Sequence, residues 1–349
     1  VRRPTLILGI ETSCDETAAA VVASGNRIVS SVTHTQIAVH QPYGGIVPEL
    51  AGREHIRHIV PVVDEALRKA GLAVTDVHAV GVAVRPGLLG ALLVGVCFSK
   101  AFAWSRGIPL IEVDHLEGHI CAIFLTSPRP KPPFVSLVVS GGHTSLFLVR
   151  ERGGIDPLGR TRDDAAGEAF DKVSKYLGLG YPGGPAIEAL AREGNPAAIP
   201  FPRAWLEAGS LDFSFSGLKT AVINHVRVRL GREPDSPFPS SPYLDRPGLA
   251  DITASFQEAV ADVLVSKGLE ACRRTGVRTL VVTGGVAANG YLRQRFRGNP
   301  AGIDVLFPPI GLCTDNAAMI AAAAHRHLRH GRPFGGMDTD ASTITIHGG

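Results

Sequence analysis

The sequence predicts an α/β fold made of two related halves, and three observations carry that prediction. The first is a run of strand-like pieces at the start, TLILGIET, TAAAVVAS and NRIVSSVT, joined by the polar turn SCDE and by Gly-Asn. They read as a β-hairpin plus a third strand. The second is the return of that pattern about 130 residues later, as FVSLVVSGG, HTSLFLVR and IDPLGR. The third is the alternation of helices with parallel-type strands after each triplet, which is how α/β layers are written in sequence.

In the first half, helical periodicity covers 47–71 and 88–106, and the strands HAVGVAV and PLIEVD come after those helices in turn. In the second half, helices are expected over 163–177, 217–230 and 249–274, then the strand TLVVTGG and a helix over 289–297. The turns VAVRPGLLGA and VVTGGVAANG correspond in order, so duplicated β-hairpin-β-α units place the natural ligand cleft between the halves. The expected division is 1–113 and 114–349, with the last helix able to pack back on the first lobe. One segment, 231–247, carries five prolines from Pro234 to Pro247 and is expected to be a surface loop.

With 349 residues, 45% hydrophobic and 19% charged, the chain is long enough for two cored domains and is not a disordered class. A net charge of +3 permits a nucleic-acid partner without the dense basic stripe of a dedicated binder. The five cysteines are scattered, with no C-x-x-C, which argues against a disulfide framework or a cysteine zinc site. The N-terminal segment lacks the pattern of a signal or transit peptide. The longest apolar run, 87–98, is about a dozen residues where a spanning helix needs roughly 20. These features predict a cytoplasmic protein with no membrane partner.

The sharpest chemical pattern is HLEGH, in which His115 and His119 fall on one face of a helix and can chelate one ion. Two satisfied or solvated histidines would leave the same pattern, so a third ligand is needed. Asp315, in CTDNAAMIAAAA, is the candidate, read as the N-cap of the final helix. Glu117 stands at the wrong offset for the general base of an H-E-x-x-H peptidase. Three Gly-rich loops, VVSGGHT, YPGGPA and VTGGVAANG, let backbone approach a phosphate or ribose, although neither a Rossmann nor a P-loop fingerprint is present. Glu11, Asp15 and Glu16 in the first hairpin turn, and Asp171 in DDAAGEAFDK, could accept ribose hydroxyls, hold a cation or act as bases.

GIETSCDET, GGIVPELAGREH, PGLLGALLVG, HLEGH, LVVSGGHTSL, DDAAGEAFDK, GYPGGPA, DFSFSGLKT, GGVAAN and CTDNAAMIA occur in this order from about Leu8 to about Ala324. Together they resemble the bacterial tRNA adenosine threonylcarbamoyltransferase family, formerly labelled a glycoprotease family. The resemblance implies a two-lobed fold of the sugar kinase, heat-shock chaperone and actin superfamily. It also implies transfer of threonylcarbamoyl from its adenylate to the N6 amine of the adenosine 3′ of the anticodon, in tRNAs reading codons that begin with A. By the same resemblance, His115, His119 and Asp315 hold one divalent metal ion, Fe2+ ahead of Zn2+. The adenylate contacts fall on Val138, Val139, Ser140, Gly141, Gly142, Asp171, Gly184 and Asn289. Apart from the resemblance, the turn carboxylates Glu16 and Asp15 are the expected catalytic residues, assisting removal of the amine proton. The implied partners are tRNA, threonylcarbamoyl-AMP, an inactive paralogue as heterodimer partner and a small P-loop ATPase. Ser145 departs from the family pattern, where Gln is usual. A metalloendopeptidase acting on glycoproteins and a non-enzymatic ATP switch are the rival readings.

Overall fold

The strands LILGIE, ETAAAVVA, AVGVAVR and LIEVD of the first half are buried on both sides, because helices cover both faces of the sheet they join, while the edge strand RIVSSVTHT is largely exposed. β1 (Leu6–Glu11), β2 (Glu16–Ala23) and β3 (Arg27–Thr35) form an antiparallel meander. After the short helix α1 (Ile37–His40) come α2 (Pro48–Ala70), β4 (Ala79–Arg85), α3 (Leu89–Arg106), β5 (Leu110–Asp114) and α4 (His115–Cys121). β4 lies parallel to β1 and β5 parallel to β4, giving the sheet order β3-β2-β1-β4-β5. The computed structural model describes residues 4–151, 153–207, 209–229, 245–298 and 302–346.

The pattern then repeats. β6 (Phe134–Val139), β7 (Thr144–Val149) and β8 (Ile155–Arg160) lead into α5 (Ala166–Tyr176), α6 (Gly183–Ala191), α7 (Ser216–Arg229) and α8 (Arg246–Thr275). Next come β9 (Thr279–Thr283), α9 (Gly290–Arg297) and β10 (Asp304–Leu306), and α10 (Ala317–Arg329) ends the series. The second sheet has the order β10-β9-β6-β7-β8. In it β6 and β7 pair antiparallel and β9 runs parallel to β6, as β1, β2 and β4 do in the first sheet. The duplication predicted from the recurring triplets is therefore a duplication of sheet topology.

Two compact units divide the chain. One comprises 1–132, 150–155 and 308–349, the other 133–149 and 156–307. The first boundary thus falls after Pro132 and not after 113, because α4 and the whole C-terminal segment pack on the first sheet. α10 explains why. One face of that sheet, with Ile7, Ala18, Ala20 and Val22, is buried against the alanine-rich run of α10, while Leu8, Ile10, Ala19 and Val21 face residues of α2 and α3. At Gly9 a Cβ would stand 2.1 Å from the Ala317 carbonyl oxygen, and at Gly81 2.5 Å from Ala324 Cβ, so the helix backbone lies almost directly on β1 and β4.

α3 is 18 residues long and apolar enough to cross a membrane by length and composition alone, which the shorter apolar run read from the sequence did not suggest. Here Ala91, Leu92, Gly95, Val96 and Ala103 of α3 are buried in the first unit. Past α10, the tail bonds back along β5. Gly335 N donates to the Leu110 carbonyl, and Thr345 Oγ1 and Ile346 N donate to Asp114 Oδ2 at 2.6 and 3.1 Å.

Three expectations shift. α5 begins at Ala166 and not at 163, since Asp163 spends its carboxylate on Phe215 N, Ser214 Oγ and Ser216 Oγ at the start of α7. YPGGPA is a turn running directly into α6. The proline-rich loop expected over 231–247 lies, up to residue 244, outside the described residues, and Arg246 and Pro247 open α8.

Candidate metal centre and adenylate loops

α4 is only seven residues long, and all of them are buried. Asp114 starts it as N-cap, its Oδ1 accepting from Leu116 N at 2.9 Å. One turn of helix then brings His115 and His119 together with ring centroids 4.7 Å apart and planes near perpendicular. Asp315 completes the set. Its Oδ1 lies 3.1 Å from His119 Nε2 and 3.5 Å from His115 Nε2, and one ligand atom from each of the three residues lies within 4.8 Å of the others.

Asp315 does not cap the final helix, as its position had suggested. Asn316 does, with Oδ1 accepting from Met319 N at 3.0 Å. The cap is one residue later, and this leaves the Asp315 carboxylate to face the histidines.

Glu11, from the end of β1, stands behind this set. Its Oε2 is 2.9 Å from His115 Nδ1, Ser13 Oγ is 3.1 Å from the same nitrogen, and Glu11 Oε1 accepts from Ser13 N at 2.5 Å. A carboxylate on Nδ1 sets the tautomer and turns Nε2 toward the centre, the usual arrangement behind a metal-ligating histidine. Two imidazoles and a carboxylate are also a donor set that divalent transition metals accept, so these residues fit such an ion.

The electrostatics point the same way. Burial disfavours a charge on His115, yet the carboxylates of Glu11 and Asp315 overcome it and hold the ring well above its ordinary pKa. Burial likewise opposes ionisation of Asp315, but the two histidines hold it far below the usual carboxylate range. His119 is lowered, chiefly by burial. The centre therefore draws positive charge to itself, whether a proton or a cation supplies it.

Glu16, beside this centre, is pushed up to about 10 by burial, then by Asp15 and Asp315. It keeps its proton at neutral pH, which does not suit a lone general base. The turn holding Asp15 and Glu16 is pinned by a residue not singled out in the sequence. His55, buried on α2, has Nε2 3.0 Å from the Cys14 carbonyl oxygen and Nδ1 2.8 Å from Thr17 Oγ1. Its signal was a lone polar residue among the buried positions Ala51, Ile59 and Val62 of an amphipathic helix.

The expected adenylate residues all lie in the second unit, on or beside four elements. Val138 and Val139 are buried on β6, so only their backbones could meet a ligand. The turn after them is closed by Ser140 N to His143 O at 2.8 Å, and space beside Gly141 and Gly142 is open. α5 abuts this turn, since a Cβ on Gly167 would sit 2.5 Å from the Ser140 carbonyl oxygen. Asp171 Oδ1 accepts from Gly183 N at 2.7 Å, joining α5 to α6, beside Gly184 with open space of its own. α6 meets α9 through Glu188 Oε1 and Gly290 N at 3.0 Å, and Gly284 returns to within 2.4 Å of the Val139 carbonyl oxygen, measured from an added Cβ. The four pieces thus close a ring. Asn289 belongs to it as the cap of α9, with Oδ1 on Leu292 N and Nδ2 on Gln257 Oε1, both at 2.8 Å.

A model of the tRNA N6-adenosine threonylcarbamoyltransferase family matches residues 27–322. The chain belongs to that family. A tRNA N6-adenosine threonylcarbamoyltransferase of Moorella thermoacetica is 57% identical over 330 residues, covering 93% of each chain. One of Anaeromyxobacter dehalogenans is 52% identical over 334 residues, covering 95% of this chain and 96% of its own. Among solved structures, the activator of 2-hydroxyisocaproyl-CoA dehydratase from Clostridium difficile aligns with a TM-score of 0.53 at 15% identity, over 94% of this chain and 97% of its own. HypF of T. kodakarensis aligns with a TM-score of 0.62 at 14% identity, over 94% of this chain and 48% of its own. Both likenesses concern the fold alone, an α/β arrangement of two mixed sheets with helices. As a tRNA N6-adenosine threonylcarbamoyltransferase family member, the chain is an acyltransferase. The peptidase reading gains nothing from the geometry, because Glu117 Oε2 is occupied by His327 and Arg332.

Proposed function

We propose that this chain transfers the threonylcarbamoyl group of threonylcarbamoyl-AMP to the N6 amine of the adenosine 3′ of the anticodon, in tRNAs reading codons that begin with A, releasing AMP. The observation that carries the reading is the convergence of His115, His119 and Asp315 on one point with Glu11 behind them, in a chain of this family.

His115, His119 and Asp315 would hold the divalent ion, with Fe2+ preferred to Zn2+. When bound, the ion supplies Lewis-acid polarisation of the carbonyl group under attack. Glu11 keeps His115 oriented, and Asp114 holds the start of α4. The open backbone at Gly141, Gly142 and Gly184 suits phosphate and ribose oxygens, with the Asp171 carboxylate nearby for a hydroxyl. In the transfer, the N6 nitrogen bonds to the carbamoyl carbon, the bond from that carbon to the AMP phosphate oxygen breaks, and one proton leaves the amine. Asp15 and Glu16 hydrogen-bond to each other. Asp15, in the same turn, would take up that proton, a role Glu16 cannot fill while it is protonated.

The working form is a cytoplasmic heterodimer with an inactive paralogue, assisted by a small P-loop ATPase. The test is reconstitution with threonylcarbamoyl-AMP, the partner proteins and unmodified tRNA, with modified nucleoside measured. His115→Ala, His119→Ala and Asp315→Ala should each abolish product, and full activity in all three would overturn the assigned roles.

A further inference from the structure

α4 is held from both sides. While His115 and His119 face Asp315, Glu117 points to the opposite face, is fully buried, and has Oε2 2.9 Å from His327 Nε2 and 3.1 Å from Arg332 Nη1. Arg332 Nη1 is also 2.9 Å from His327 Nε2, and its Nη2 donates to the Gly153 carbonyl at 3.3 Å. His327 lies in the last turn of α10, and Arg332 N donates to the His327 carbonyl just beyond it.

α4 therefore meets the α10 segment at three levels. Its histidines reach Asp315 before the helix starts, Gly118 packs where a Cβ would stand 2.8 Å from Ile320 Cδ1, and Glu117 grips His327 near the end. A seven-residue helix has little rigidity of its own. With side-chain tips about 6 Å from the axis, a rotation of about 10° moves a histidine nitrogen by about 1 Å. Gly118 alone offers a smooth contact that does not resist such a turn.

We propose that Glu117, with His327 and Arg332, is the positioning group of the metal centre, locking the rotation of α4 so that both histidines meet Asp315. The inference rests on the reading that His115, His119 and Asp315 bind a divalent ion. It assigns Glu117 no contact with substrate or ion.

The test is Co2+ binding by the full chain, followed by its visible spectrum and by chelator competition at a temperature where circular dichroism shows every variant folded. Glu117→Gln and Arg332→Met should raise the Co2+ Kd about tenfold, the scale seen when supporting contacts around a metal site are removed. Arg332→Lys should bind close to the parent. Arg332 is about one-third exposed, its side chain at 32%, so its variants carry the test if Glu117→Gln fails to fold. A lower Tm with an unchanged Kd would show a purely structural contact and overturn the inference. If the parent binds Co2+ and His119→Ala abolishes that binding while Glu117→Gln and Arg332→Met match the parent, the inference falls and the metal reading stands. A parent that binds no Co2+ removes both.

Discussion

Gly9→Ala tests whether the seat of α10 on β1 sets the proposed metal centre. The added Cβ would lie 2.1 Å from the Ala317 carbonyl oxygen, 2.8 Å from Ala321 N and 3.0 Å from Ala321 Cβ. Two of these three neighbours are backbone atoms of a buried helix, so no side chain can swing aside. Reaching even 3.0 Å from the carbonyl requires the start of α10 to lift by about 1 Å. Overpacking of this kind costs about 1–3 kcal/mol, which for a unit of this size lowers Tm by roughly 3–10 °C. Asp315 lies two residues before Ala317, whereas His115 and His119 ride on α4, so the lift separates ligands that now stand 3.1 and 3.5 Å apart. Differential scanning calorimetry and Co2+ titration read the two effects. Gly81→Ala is the comparison, since it meets Ala324 Cβ at 2.5 Å near the far end of α10 and should cost stability with a smaller change in Co2+ affinity. Gly90→Ala, with nothing within 4 Å of its Cβ, should leave both unchanged. A Gly9→Ala protein with the parent's Tm and Co2+ Kd would refute the reasoning.

Glu11→Gln should weaken divalent-metal affinity about 10- to 100-fold by freeing His115 Nδ1 from its carboxylate, as read by isothermal titration. Asn316→Ala should cost about 1 kcal/mol in chemical denaturation through loss of the α10 cap. In chelator-treated protein, Glu16 is pushed up to about 10 from an ordinary value of 4.5, so the unfolded chain ionises there over a range in which the folded chain does not. Stability should fall as pH rises from about 4.5 towards 10, and Glu16→Gln should remove that slope and be the more stable protein at pH 8. Denaturation curves at pH 5 and pH 8 measure it, and parallel pH profiles for both proteins would contradict the protonated state.

The two sheets were legible because strand alternation and turn residues are local signals, and they repeat at TLILGIET and FVSLVVSGG. The histidine pair was legible for the same reason, being one helical turn apart. The location of α4 in the first unit was not, because it depends on α10, some 200 positions further along the chain, covering one face of the first sheet. Asp315 and Asn316 are adjacent and both are good caps, so only the packed helix start shows which of them caps α10 and which faces the histidines. Glu117 could be read only as out of place for a peptidase. Its partners, His327 and Arg332, lie more than 200 residues downstream, and no local pattern links them.

The first unit is discontinuous, and this has a consequence for the order of assembly during synthesis. Residues 133–307, which hold all of the second unit, leave the ribosome before α10 does. Until then the sheet face carrying Ile7, Gly9, Ala18 and Ala20 has no cover, and the histidines of α4 have no carboxylate from Asp315. The tail that bonds Asp114 arrives later still. The cluster of His115, His119 and Asp315 is thus completed only when residues beyond the second unit have been made, so that a nascent protein holding a finished second unit would still lack its carboxylate.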